Sequence, residues 1–263
     1  MYSILFINYI VVIVLAYATI DCNAALMDHR IVHGENARIE QYPYQVYILR
    51  VKSDYQCGGA LISSSVVLTA AHCYPPNDQQ GTVRAGSTNR KQGGQVRQIK
   101  RGILHSQYSG ANLQNDIAVL FVDRPFQLTS SVKPIRLPVG ENDNPRVGDI
   151  GVTTGWGYLG SSENVPHTLR QVKLPVMDQK ICQQQQNKFL IIPITANKLC
   201  AGYLYNAKAI CQGDSGGPYV VNGVLHGITS HNSGPSNCGK AGVPSVFTRV
   251  SSYRTWIRNT VQI

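Results

Sequence analysis

The stretch Cys211-Gln212-Gly213-Asp214-Ser215-Gly216-Gly217-Pro218 is the most specific segment of this chain. It sets a serine among Gly213, Gly216 and Gly217, so the backbone there can bend sharply and be approached closely by a ligand. Two further segments carry reactive side chains. Leu68-Thr69-Ala70-Ala71-His72-Cys73 ends an apolar run on a histidine, and Asn115-Asp116-Ile117-Ala118-Val119-Leu120 opens one with an aspartate. A lone His beside a Cys, or a lone Asp ahead of an apolar run, is more often structural. The weight therefore rests on the glycine-rich serine segment and on what surrounds it.

Around these segments short β-compatible runs recur, separated by turn residues. They are 45–49, 60–71, 96–99, 116–122, 150–157, 169–176, 219–221, 224–230 and 246–250. Asn222-Gly223 between two of them is a hairpin signal, because both residues tolerate positive φ. No fixed-period repeat occurs, and Gln183 to Gln186 reads as a solvated surface run. One helix is expected at the C-terminus, capped by Ser251, with Tyr253, Trp256, Ile257, Thr260 and Val261 on one face. The composition agrees: 43% hydrophobic and 14% charged residues exclude a disordered chain, and 24 Gly, 13 Pro and 14 Tyr suit a β-rich fold with many turns. Length alone, 263 residues, allows one domain or two. Many short strands and one terminal helix describe an antiparallel barrel or sandwich assembly.

The N-terminus and the cysteines point to an oxidising compartment. Residues 4–18 are apolar except for Asn8, long for a signal-peptide core and short of a spanning helix. No Lys or Arg precedes them, unlike the usual basic start. Small-residue cleavage sites follow Ala18 and Ala24, and an uncleaved anchor is the competing reading. Cleavage after Ala24, the preferred site, removes Cys22 and leaves six of seven cysteines, an even number suited to disulfides. Residues 1–24 are thus expected to be a signal peptide and the product secreted. Arg30 ahead of Ile31-Val32-His33-Gly34 is a natural processing point if the chain is made as a precursor.

From Ile31 onward the sequence resembles the secreted serine proteases of the chymotrypsin and trypsin family. Four motifs stand in that family's order: Ile-Val-x-Gly at residues 31–34, Thr-Ala-Ala-His-Cys at 69–73, Asp-Ile-Ala-Val-Leu at 116–120 and Gly-Asp-Ser-Gly-Gly-Pro at 213–218. The resemblance implies an all-β fold of two packed six-stranded antiparallel barrels with a C-terminal α-helix and an active site between the barrels. It implies residues 25–30 as an activation propeptide and 31–263 as the peptidase unit. It also implies roles. Ser215 is the nucleophile, His72 the base that takes its proton and Asp116 the group that orients and stabilises the imidazole. The N–H groups of Gly213 and Ser215 form the oxyanion hole. Cleavage after Arg30 frees the Ile31 ammonium, which pairs with Asp214 and orders the serine loop. His33 replaces the usual second glycine of the family start and reads as surface variation.

Six cysteines permit fifteen pairings, and the resemblance proposes Cys57–Cys73, Cys182–Cys200 and Cys211–Cys238. No Cys-x-x-Cys spacing suggests zinc, and the stretch matching the family's calcium loop, residues 86–95, holds Arg90 and Lys91 and no acid. No metal or cofactor is expected.

The resemblance places Ala209 at the base of the primary specificity pocket and Ser230, Asn232 and Ser245 on its walls. Trypsin-type members carry Asp at the base, so a preference for Arg or Lys is not expected. Asn232 and Ser245 stand where glycines are usual, and His231 where an aromatic is usual. A narrowed pocket accepting small or medium uncharged side chains is one reading, and a blocked pocket on a catalytically impaired binding homologue is the alternative. The expected partners are protein and peptide substrates, an activating protease and protein protease inhibitors, with a monomeric state and no stable membrane association. The formal net charge is +10. It includes a modest cluster of Arg84, Arg90, Lys91, Arg97, Lys100 and Arg101, read as solvated loops ahead of an anionic-surface contact. No nucleic-acid motif accompanies it, and nucleic acid is not expected as a partner.

Overall fold

A computed structural model describes residues 34–51, 56–77, 80–159, 165–190, 192–232, 234 and 237–262. The expected signal peptide and propeptide, with Cys22, Arg30, Ile31 and His33, lie outside the described residues. After β1 (Glu35–Asn36), six strands follow: β2 (Gln45–Arg50), β3 (Gln56–Ser63), β4 (Val66–Thr69), β5 (Gly81–Ala85), β6 (Gln95–Leu104) and β7 (Ala118–Val122). They close into an antiparallel barrel in the order β2-β3-β4-β7-β6-β5. Alternation builds it: in β5, Val83 and Ala85 point into the core while Thr82 and Arg84 stay half-exposed. Val46, Ile48, Leu61, Val67, Leu68 and Val119 fill the interior.

The second half contains β8 (Ile150–Gly155), β9 (Arg170–Pro175), β10 (Lys198–Ala201), β11 (Pro218–Val221), β12 (Val224–His231) and β13 (Ser245–Arg249). With β1 they form a seven-stranded sheet in the order β1-β9-β8-β11-β12-β13-β10. Six of these strands curl into a barrel closed differently from the first. A single bridge between Val176 and Ala201 joins its ends, helped by Met177 N–H to Cys200 O and Gly202 N–H to Pro175 O. β1 adds to the outer edge through Gln171 and Arg170. Among the described residues no helix is long and apolar enough to cross a membrane.

Several boundaries differ from those read in the sequence. The run 60–71 is two strands, β3 and β4, turned by Ser64 and Ser65. The hairpin at Asn222-Gly223 forms as expected, with φ of 50° and 74°. The polar run 183–186 belongs to α1 (Gln179–Gln186), capped by the Asp178 carboxylate, which accepts from Lys180 and Ile181 N–H. At the C-terminus a 3₁₀ turn, Val250–Tyr253, precedes α2 (Arg254–Val261). Ser251 does not cap that helix, because its hydroxyl donates to Asn144 Oδ1 at 2.6 Å.

Two features hold the halves against each other. The terminal segment returns to the first barrel, where Tyr253 and the fully buried Ile257 join its core. Between the barrels Thr154 donates to Gln45 Oε1 at 2.5 Å, and Tyr47 meets Trp156 edge to face at 5.7 Å between centroids.

Candidate active site

His72 lies in a 3₁₀ turn, Ala71–Cys73, at the end of β4. The Cys57–Cys73 disulfide ties that turn to β3. Asp116, just ahead of β7, has no exposed surface. Its Oδ1 accepts the His72 backbone N–H at 3.0 Å, and its Oδ2 lies 2.8 Å from His72 Nδ1. The Ser230 hydroxyl donates to the same Oδ2 at 2.6 Å. From the far side Thr248 holds the Asp116 backbone carbonyl at 2.7 Å. Burial alone would raise the Asp116 pKa, but His72 and these hydrogen bonds outweigh it and hold the carboxyl below its usual range. Burial likewise disfavours the His72 cation, and Asp116 more than offsets it, so the imidazole pKa is raised. The carboxylate keeps the proton on Nδ1 and leaves the Nε2 lone pair available as a base.

Ser215 sits between Gly213, with φ of 93°, and Gly216, with φ of 77°. A Cβ at Gly216 would fall 2.1 Å from Thr69 Oγ1 and 2.5 Å from Gly58 O, so only glycine lets the serine loop dock on the first barrel. Gly58 N–H donates to Ser215 O at 2.7 Å and fixes that docking. Among the described residues the N–H groups of Gly213 and Ser215 donate to no acceptor, leaving two donors beside the hydroxyl. His72 and Ser215 line one cleft of about 460 Å3, together with Tyr108, Leu113, Ser230, His231 and Asn232.

A family model for trypsin matches residues 31–257. The chain is 38% identical over 240 residues to a trypsin of Sarcophaga bullata, covering 90% of this chain and 91% of that one. It is 36% identical over 244 residues to kallikrein-1 of Mus musculus, covering 88% and 90% of the two chains. It is 34% identical over 237 residues to a vitellin-degrading protease of Bombyx mori, covering 89% and 86%. This chain belongs to the trypsin family. It is a serine endopeptidase, a hydrolase whose substrates are proteins.

In this protease the residues assigned to the primary pocket separate. Ser230 and Asn232 line the cleft, whereas Ala209 and Ser245 are wholly buried behind it. Asn232 bridges two segments at the cleft's edge. Its Nδ2 donates to Ile210 O at 3.0 Å and contacts Cys238 Sγ at 3.2 Å, while its Oδ1 accepts Gly234 N–H. The amide thus straps one wall to the other. Beneath it Ser245 Oγ accepts Ile210 N–H at 3.2 Å. The Cys211–Cys238 disulfide closes this region, and Cys182–Cys200 joins α1 to β10.

Asp214 is buried, with Oδ1 accepting Gly157 N–H at 2.8 Å and Oδ2 accepting Cys211 N–H at 2.9 Å. Burial raises its pKa to about 6, and the two N–H donors only partly oppose that. No cation among the described residues pairs with it. His231 donates from Nδ1 to Ser230 Oγ at 3.2 Å, and its buried Nε2 has no partner among the described residues. Burial first, then the charge of Lys198, push its pKa down to about 3, so it stays neutral across physiological pH. The grouping of Cys57, His72 and Cys73 has the proximity of a metal site, but both sulfurs are spent in a disulfide.

Two residues beside the site escaped the sequence reading. Lys198 in β10 is buried, its Nζ 3.4 Å from Asn112 O, and burial lowers its pKa to about 8. Nothing in Lys-Leu-Cys-Ala distinguishes it from a surface lysine. Gln56 packs so closely on the serine loop that a Cβ at Gly213 would fall 2.7 Å from its Nε2. Its only signal was its place one residue before Cys57.

Proposed function

We propose that this endopeptidase is made as a secreted precursor, is activated by an activating protease cutting after Arg30, and cleaves beside small or medium uncharged side chains. The observation that carries the catalytic assignment is the Asp116–His72 pair facing the same cleft as Ser215. Ser215 Oγ attacks the scissile carbonyl as His72 Nε2 takes its proton. The Gly213 and Ser215 N–H groups receive the oxyanion, and the imidazolium, stabilised by Asp116, returns the proton to the departing amine. Water, activated by the same imidazole, then hydrolyses the acyl-enzyme. A buried Asp214 that pairs with no cation among the described residues supports activation by the Ile31 ammonium, since a buried carboxylate is costly unless paired. Residues 1–24 act as the signal peptide and 25–30 as the propeptide, and protein inhibitors of this family are further expected partners.

The Asn232 strap supports the restricted pocket, because a charged or large side chain would have to displace a half-buried amide hydrogen bond. The same observation favours a second reading, in which the slot admits no side chain and the chain acts as a non-catalytic binding protein. A peptide-library profile of the chain processed at Ile31 separates them. Cleavage after small uncharged residues, lost in Ser215→Ala, is expected. Cleavage mainly after Arg or Lys refutes the specificity, and failure of Ser215 to react with a serine-directed phosphonate refutes catalysis.

A further inference from the structure

The hydrogen-bond chain at the Asp116–His72 pair does not end at Ser230. Ser230 gives its hydroxyl proton to Asp116 Oδ2 at 2.6 Å, so its oxygen is the acceptor toward His231 Nδ1, 3.2 Å away. His72, Asp116, Ser230 and His231 thus form one line, which starts with the 2.8 Å contact of His72 Nδ1 and Asp116 Oδ2. The sheet makes the last link. Thr229 opposes Phe247 and His231 opposes Val246, which leaves Ser230 as the extra residue of a β-bulge. A bulge re-aims side chains, and here two neighbours turn toward one carboxylate instead of to opposite faces.

Lys198 approaches the same carboxylate from β10. It opposes Thr248, which donates to Asp116 O, and opposed residues put their side chains on one face of a sheet. Lys198 is 3% exposed and followed by the buried Leu199, Cys200 and Ala201. Among the described residues its Nζ donates to Asn112 O alone, at 3.4 Å, and makes no ion pair. A buried ammonium is costly without a nearby negative charge, and the field of Asp116 is what opposes the cost of burial here. The other groups around it are His231, the Arg249 guanidinium, which donates to Lys198 O at 2.9 Å, and the neutral Tyr253 hydroxyl, bound to Asn115 Oδ1. Burial and the Lys198 charge keep His231 neutral, with its proton on Nδ1, where Ser230 accepts it.

We propose that Lys198 and His231 are positioning residues of this peptidase that act through Asp116, the ammonium by its field and the imidazole by polarising the Ser230 hydroxyl. Both draw the carboxylate's charge away from His72. This rests on His72 being the catalytic base. Asp116 pulls the His72 pKa up, and groups that take back part of its charge keep the base unprotonated to lower pH.

The test follows His72 in the processed chain by two readouts. One is the acid limb of kcat/KM on a library-selected peptide, and the other is the titration of the low-field Nδ1 proton by NMR. Lys198→Met keeps the reach of the side chain and removes its charge. Limb and NMR midpoint are both expected to rise by about 0.5–1 pH unit, the scale of one nearby charge inside a protein. Lys198→Arg should keep the parent values. His231→Phe, which removes the donor to Ser230, should move both in the same direction by a smaller step, and His231→Asn, whose amide donates from the place of Nδ1, should restore them. Repeating the NMR titration in Ser215→Ala judges the proposal without turnover. The serine reading fails separately if the parent does not react with a phosphonate. A loss of rate with limb and midpoint unmoved would assign both residues to packing and overturn the proposal. So would a limb that moves while the His72 midpoint stays. The two substitutions lie on different strands, so if one fails to fold the other decides.

Discussion

The hydroxyl of Ser230 and the imidazole of His72 share one carboxylate, and that sharing sets the pH at which the site works. Because Asp116 raises the His72 pKa, the base is lost to protonation at a pH above 6.5, the ordinary imidazole value. The acid limb of kcat/KM should therefore fall above that value. In Asp116→Asn burial and the charge of Arg50 both disfavour the His72 cation, so the limb should move to lower pH while kcat drops, and a pH–rate profile checks both. A second prediction concerns the pocket. Asn232→Gly removes the amide bridge to Ile210 O, and cleavage beside larger apolar side chains should rise by about tenfold or more in the library profile, as expected for side-chain-sized changes in a pocket. Unchanged selectivity would clear Asn232 of the role. The sequence made the serine legible through its glycines, and His72 and Asp116 through their motifs. It named Asn232 but not what the amide does, since Ile210 lies 22 positions away and only folding brings the two together.

Elements were legible where apolar alternation is strong, as in β2, β8, β9 and the β11–β12 hairpin. They were obscure where tertiary pairing overrides weak local preference. Gly-Thr-Val-Arg-Ala forms β5 because it sits between β2 and β6, not because its residues demand a strand. Helix α1 is nearly all polar, and its one local signal is the cap residue Asp178. Asp178→Ala should cost about 1 kcal/mol in urea unfolding and leave kcat/KM unchanged, because the helix stands away from the cleft. Helix α2 behaves oppositely. Ile257 is fully buried in the first barrel's core although it is nearly the last residue of the chain. Ile257→Ala should cost about 2–5 kcal/mol, and hydrogen exchange in β4 and β7 should report the loss, even though those strands lie more than a hundred residues upstream. Exchange confined to the C-terminal helix would show that the terminal segment is not a clasp.

On the scale of the whole molecule, Asp214 ties the serine loop to the segment after β8 through Cys211 and Gly157 N–H, and under the proposed activation its ionisation would couple that loop to the new N-terminus. With a folded pKa of about 6 against an ordinary 3.8, the folded chain binds this proton more tightly than the unfolded chain. Stability from this group is therefore intact below about pH 4 and declines as pH rises from about 4 to 6. Two pKa units correspond to about 3 kcal/mol. An uncleavable Arg30→Gln precursor should show that decline in urea unfolding between pH 4 and pH 7, relative to Arg30→Gln/Asp214→Asn, whose amide does not titrate. In the processed chain the Ile31 ammonium would face the carboxylate and favour its charged form, so the same pH interval should cost nothing or reverse sign. The serine loop, held on Asp214 through Cys211 and Gly157, should then become protected from proteolysis as activity appears. Parallel pH slopes for precursor and processed chain would mean that the new N-terminus does not reach Asp214, and activation would need another cation.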